Sequence, residues 1–191
     1  CVLLTGLLWA GAPSPGAFAA PVHGTLQRVT MPAPSVGDDA RTVRVYLPPS
    51  YFAAESAGRT YPVVYLLHGW PGSDGNWFEM GHAGDTADSL SARGAIPEVI
   101  LMCPNGAGAG VLGRSFWIDS WDGRKRLETY VVRELIPWID AHYRTRRTAQ
   151  GRGLIGLSEG GDAAVNLALK HPDVFSACGA HSADYVLRKG F

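Results

Sequence analysis

Gly153-Leu154-Ile155-Gly156-Leu157-Ser158-Glu159-Gly160-Gly161 carries a short apolar run into a serine set between glycines, and residues 163–170 continue with helical character. The apolar run predicts a strand buried on both faces. A Gly156-x-Ser158-x-Gly160 pattern between a strand and a helix is the sequence form of a nucleophile elbow, in which a sharp turn lifts the serine hydroxyl above the sheet. Glycines are needed on both sides because the turn is strained and a side chain there would strike the neighbouring backbone. The bare pattern also arises by chance in glycine-rich turns that hold an ordinary serine. The predicted strand before it and helix after it favour the elbow.

Residues 41–47 alternate Thr42, Arg44 and Tyr46 against Val43, Val45 and Leu47, the period of a strand with one face on the core. With residues 26–31 they form an antiparallel start. Residues 61–67 and 99–103 are continuous apolar runs, again suited to strands of a parallel sheet. Helices are expected at residues 86–93 and along the stripe Leu127, Tyr130, Val131, Leu135, Trp138, Ile139 and Tyr143, with Pro137 kinking or dividing it near Ile136. Strands alternating with helices predict an α/β fold with a largely parallel sheet, whose ligands bind beyond the carboxyl ends of the strands. Chemistry is therefore expected in the loops after Leu67, Cys103 and Leu157. Residues 53–59 read as a surface loop, and Arg144, Arg146 and Arg147 as a solvated helix end.

The chain has 191 residues, 46% hydrophobic, with 17 basic and 17 acidic side chains and no formal net charge. One domain, residues 20–191, accounts for that length. The charge balance argues against nucleic acid as a partner. Residues 2–10 are apolar and Ala17-Phe18-Ala19 forms a small-x-small site, the layout of a secretory signal peptide over residues 1–19. No basic residue precedes Arg28, so we expect a truncated start, and a secreted or periplasmic mature chain without a membrane span. Cys103 and Cys178 lie in apolar runs and are expected to be buried thiols.

Leu66-Leu67-His68-Gly69-Trp70-Pro71-Gly72-Ser73 ends an earlier predicted strand. Acyl transfer through a serine needs two backbone N–H donors aimed at the developing oxyanion. The amides of Trp70 and Glu159 are the expected pair, and His68 is expected to orient the loop rather than to act as a base.

Four ordered stretches, YPVVYLLHGWPGSDGNW, VILMCPNG, ETYVVRELIPWIDAHYR and GLIGLSEGGDAA, resemble the esterase D and mycolyltransferase-like branch of the α/β-hydrolases, which also holds feruloyl and acetylxylan esterases. The resemblance runs from about Arg41 to Tyr185. It implies a three-layer sandwich with a mostly parallel central sheet, Ser158 as nucleophile, the Trp70 and Glu159 amides as oxyanion hole, and Pro104-Asn105-Gly106 as a turn after a strand. It also implies that the strands of Cys103 and Cys178 lie three positions apart, about 14 Å, which is too far for a disulfide. Glu159 stands where the family usually has Met, His or Gln. We expect its carboxylate to point away from the oxyanion, so that Gln there changes turnover only a few fold.

In such folds the acid and then the histidine follow the serine on later loops. After Ser158 this chain offers His171, His181, Asp173 and Asp184. His171 reads as a helix end, and His181 follows the next strand too early for the usual base. We therefore expect the C-terminal strands to be missing, the triad acid and histidine to lie beyond Phe191, and residues 175–180 to form a sheet edge prone to association.

Residues 106–110 look like a phosphate loop only superficially, since no Lys-Ser/Thr pair follows. Phe116, Trp117 and Trp121 are candidates to wall a substrate pocket, Trp117 and Trp121 foremost. No His, Cys and acid cluster shows metal-ligand spacing, and no cofactor is implied. The function expected is a secreted serine esterase or acyltransferase acting on a small-molecule, carbohydrate or lipid ester. The alternatives are a catalytically silent hydrolase-like binding protein and, further off, a serine peptidase.

Overall fold

The computed structural model describes residues 23–107 and 114–183. Residues 1–19, Asp184 and most of residues 106–110 lie outside that set, so the expectations placed on them are not addressed by it. Among the described residues, six strands form one sheet in the order β1-β2-β4-β3-β5-β6. β1 (Thr25–Ala33) and β2 (Asp38–Leu47) pair antiparallel, and β2 joins β4 (Ile100–Pro104) antiparallel. β4, β3 (Val63–Leu67), β5 (Arg152–Leu157) and β6 (Ala177–His181) run parallel, so their carboxyl ends share one rim.

Among the described residues, five α-helical segments accompany the sheet: α1 (Asn76–Glu79), α2 (Ala83–Ala92), α3 (Leu127–Thr129), α4 (Ile136–His142) and α5 (Glu159–Lys170). Val45, Val63, Tyr65, Leu67, Met102 and Leu154 pack on one face against Tyr130, Leu135, Ile139 and Leu167 from the α3–α4 and α5 side. Leu66, Leu101 and Cys103 pack on the other against Phe78 and Ala87 of α1 and α2. Each such fully buried aliphatic side chain contributes about 1.5–3 kcal/mol relative to exposure. The result is the α/β fold expected from the alternation of strands and helices, in the three-layer arrangement that the family resemblance implies.

Several local expectations change. Pro137 falls in the first turn of α4, and the residues before it, Tyr130–Leu135, wind as a π-helix that runs straight into α4. The helical run is thus divided near Ile136, as expected: a proline inside a helix has no N–H to give and its ring crowds the preceding turn, and the winding changes from π to α at that point. β5 is not buried on both faces: Ile155 and Leu157, on the same side of the strand, are 38% and 40% exposed. Cys178 is exposed rather than buried, since β6 is the outermost strand among the described residues; Cys103 is buried, and both thiols are free. The two cysteines stand three strands apart, as expected. Arg144 is not simply solvated: its guanidinium lies 4.2 Å from the Tyr51 ring centroid and bonds the carbonyls of Tyr51 and Ala57.

Two loops are tied down beside the shared rim. Buried Arg41 of β2 donates to the carbonyls of Asn105 at 2.5 Å and Ala107 at 2.6 Å, fixing the chain after β4. The turn after β5 is fixed by close backbone approach. A Cβ on Gly156 would overlap the Gly160 carbonyl, and one on Gly160 would overlap the Leu67 carbonyl. These atoms belong to backbone that cannot swing aside. Gly160→Ala is therefore expected to destabilise the protein by about 1–3 kcal/mol or more, measured by urea denaturation, whereas Gly58→Ala, at a glycine with open space around it, should change little.

Candidate active site

Ser158 sits at the carboxyl end of β5 with φ 53° and ψ −120°, a strained backbone for a residue with a side chain. Its N–H donates to the His181 carbonyl of β6 at 2.8 Å. Its carbonyl accepts the N–H groups of Gly161 at 2.8 Å and Asp162 at 3.1 Å, which starts α5. The turn is thus held from both sides and the side chain is left exposed.

The loop after β3 runs against this turn. A Cβ built on Gly69 would stand 3.0 Å from the Leu157 carbonyl oxygen and 3.2 Å from the Ser158 Cβ, so only glycine lets the loop come so close. Trp70 follows directly and lines, with Pro71, Trp77, Met80, Ser158 and His181, an apolar groove of about 530 Å³. Trp77 is anchored by its indole N–H on the Leu67 carbonyl at 3.1 Å.

His68 is buried under this loop. The Gly106 N–H donates to its Nε2 at 2.8 Å, so the ring proton resides on Nδ1, which donates to the Gly69 carbonyl at 2.8 Å. Burial is the main cause holding its pKa below the usual histidine value, so the ring is neutral. His68 therefore links the β3 and β4 loops, and both its nitrogens are occupied in doing so.

Glu159, the first residue of α5, is buried, and its carboxylate is absent from the groove lining. It accepts Arg114 Nε at 3.2 Å and the N–H groups of Ser115 at 3.1 Å and Phe116 at 2.5 Å. Trp117 and Trp121 do not wall the groove. Trp117 is 1% exposed, with its indole N–H on the His68 carbonyl at 3.1 Å, and Trp121 is 83% exposed elsewhere. The aromatic and sulfur walls come instead from Trp70, Trp77 and Met80. Trp77, in α1, and Met80, just past its end, lie three apart after the glycine-rich loop, a helical spacing that could have marked them.

His171 ends α5 and meets Glu128 at 2.9 Å, away from the groove. His181 lines the groove, with Nδ1 3.0 Å from Ser182 Oγ. Among the described residues, no histidine ring is hydrogen-bonded to the Ser158 hydroxyl. Among the described residues the fold assembles one group with metal-ligand spacing that the sequence did not disclose: ligand atoms of His23, Asp85 and Asp88 lie within 4.8 Å of one another. Asp88 also accepts the Gly24 N–H and the Tyr46 hydroxyl, which ties the start of β1 and β2 to α2. Among the described residues no helix is long and apolar enough to cross a membrane.

A family model described as "Putative esterase" matches residues 35–187. The chain belongs to this esterase family. It is 35% identical over 151 residues to Esterase Rv1288 of Mycobacterium tuberculosis (strain ATCC 25618 / H37Rv), an alignment covering 78% of this chain and 30% of that protein. It is 33% identical over 162 residues to the endo-1,4-beta-xylanase/feruloyl esterase of Xylanibacter ruminicola, covering 82% of this chain and 21% of that protein. A solved ferulic acid esterase superposes with a TM-score of 0.79 at 32% identity, covering 89% of this chain and 62% of that one. The esterase-family chain thus has the α/β-hydrolase fold, and spans less than a third of the two curated relatives' length.

The buried neutral His68 generates a pH prediction. An unfolded chain protonates this ring near pH 6.5, above the folded value, so the unfolded state takes up the proton first and stability falls as pH drops below about 6.5. Urea unfolding measured between pH 8 and pH 5 should show a shallower acid loss in His68→Gln than in the wild type. An equal slope would mean that His68 carries no such linkage.

Proposed function

We propose that this protein is a secreted serine esterase that hydrolyses carboxylic esters, or transfers their acyl group, through an acyl-serine intermediate. The observation that carries the reading is the exposed Ser158 hydroxyl on a strained turn, at the rim where the β3 loop brings Trp70 alongside. Ser158 Oγ attacks the ester carbonyl carbon, and its proton passes to a general base. The carbonyl oxygen becomes an oxyanion received by the Trp70 and Glu159 amides, each such donor being worth about 10²–10³ in rate. Collapse of the tetrahedral intermediate expels the alcohol, which takes the proton from the base. Water, or another hydroxyl, then attacks the acyl-serine by the reverse sequence and releases the acid or the transferred ester.

The base and its acid partner are assigned outside the described residues. His68 has both nitrogens engaged, His171 is paired with Glu128, and His181, though in the groove lining, has its Nδ1 on Ser182 Oγ and no hydrogen bond to the Ser158 hydroxyl. The groove walled by Trp70, Trp77 and Met80 suits the apolar or aromatic part of an ester. Relatives named esterase and feruloyl esterase support the substrate class, and the apolar leader at residues 1–19 supports export. No nucleic acid, metal or cofactor is required by this chemistry.

The intact protein should react with a fluorophosphonate probe and hydrolyse p-nitrophenyl butyrate. Ser158→Ala should abolish labelling and lower turnover by at least about 10³-fold, with folding checked by circular dichroism. A folded wild type that neither labels nor turns over would favour the catalytically silent binding protein instead.

A further inference from the structure

Phe116 and Trp117 are consecutive non-glycine residues with φ of 48° and 55°. Two bulky aromatics in the left-handed region do not hold that form unaided. What meets them is the Glu159 side chain. Its Oε1 accepts the N–H groups of Ser115 at 3.1 Å and Phe116 at 2.5 Å, and its Oε2 takes Arg114 Nε at 3.2 Å. The Trp117 N–H is taken by Ser115 Oγ at 3.2 Å, closing the segment on itself.

The segment so held reaches the other half of the site in two ways. The Trp117 indole N–H donates to the His68 carbonyl at 3.1 Å, and its ring meets the His68 ring edge-on at 5.1 Å. The Arg114 guanidinium lies 5.2 Å from the Trp70 ring centroid and 4.6 Å from that of Phe116. His68 and Trp70 flank Gly69 on the β3 loop. One buried carboxylate on the first residue of α5 therefore governs a segment that contacts the β3 loop on both sides of its closest approach to Ser158.

We infer that the Glu159 side chain is a positioning residue, which keeps the Trp70 amide in register with the Glu159 amide at the position an oxyanion would occupy. The inference rests on the serine esterase reading and deepens it. Glu159 is not a catalytic residue through its carboxylate, which is turned from the groove and balanced by Arg114. Misplacing one of two oxyanion donors weakens binding of the charged tetrahedral state while leaving the neutral ester's binding nearly unchanged.

The test measures kcat and KM for p-nitrophenyl butyrate, and Ki for butylboronic acid, which forms a tetrahedral anionic adduct on a reactive serine. It uses the intact wild type, Glu159→Ala, Glu159→Gln and Ser158→Ala, with rates normalised to serine sites titrated by fluorophosphonate. Glu159→Ala is expected to lower kcat and raise the boronate Ki by about 30-fold or more, with KM within about threefold. Glu159→Gln keeps an oxygen for the Ser115 and Phe116 amides and should stay within about fivefold of wild type in all three. Should Glu159→Ala fail to fold, Glu159→Met, which keeps the volume and lacks the acceptor, replaces it with the same expectation. Unchanged kcat and Ki in a folded acceptor-less variant, or a change confined to thermal stability, overturns the inference alone. So does a Glu159→Gln loss as large as that of Ala. A wild type without boronate inhibition dependent on Ser158 overturns the esterase reading, and the inference falls with it.

Discussion

Backbone meets backbone where β5 turns into α5. The Gly156, Gly160 and Leu67 main chains come so close there that no β-carbon fits at either glycine, and Gly69 approaches from the next strand to within contact of Ser158. A tetrad of parallel strands, β4-β3-β5-β6, brings these segments to one rim, and the hydrogen bond from Ser158 to His181 fastens the turn to the last of them. A residue with a side chain can sit at φ 53° only because neighbours on several sides leave it no other course. The strained conformation is thus sustained by the packing of the whole sheet, and the hydroxyl it presents stays clear of that packing.

Around the turn, polar groups are buried in pairs that satisfy each other, as an apolar setting demands. His68 gives its one ring proton to Gly69 and receives the Gly106 amide; Arg41 fixes the carbonyls of Asn105 and Ala107; Glu159 collects the amides of residues 115 and 116. Each joins a loop to a strand or helix that would otherwise move independently of it. The loops therefore form a connected frame, and the groove beside Ser158 is left apolar on its walls.

The elbow, the β3 loop and the parallel strands were legible in the sequence because they depend on local pattern: glycine spacing around Ser158 and uninterrupted apolar runs. The strand order that separates Cys103 from Cys178 was legible only through the family resemblance, since no local signal specifies which strands are neighbours. Burial was misjudged wherever it depended on what covers a strand, as at Ile155 and Cys178. Trp117 and Trp121 share a composition that suits a pocket wall, yet one is drawn into the core by its bond to the His68 carbonyl and the other faces solvent. Glu159 was expected to point away from the groove. That its carboxylate organises a segment more than forty residues earlier could not be read from the chain, because the partners meet only once the sheet is folded.

In the proposed chemistry, Ser158 and the two amides at positions 70 and 159 form one oxyanion-binding unit. A crystal structure of the intact protein after reaction with a diethyl phosphonate ester tests it most directly. Phosphorus is expected on Ser158 Oγ, with the phosphoryl oxygen within about 3.1 Å of both amide nitrogens. An adduct on another residue, or a phosphoryl oxygen turned to solvent away from both nitrogens, would contradict it.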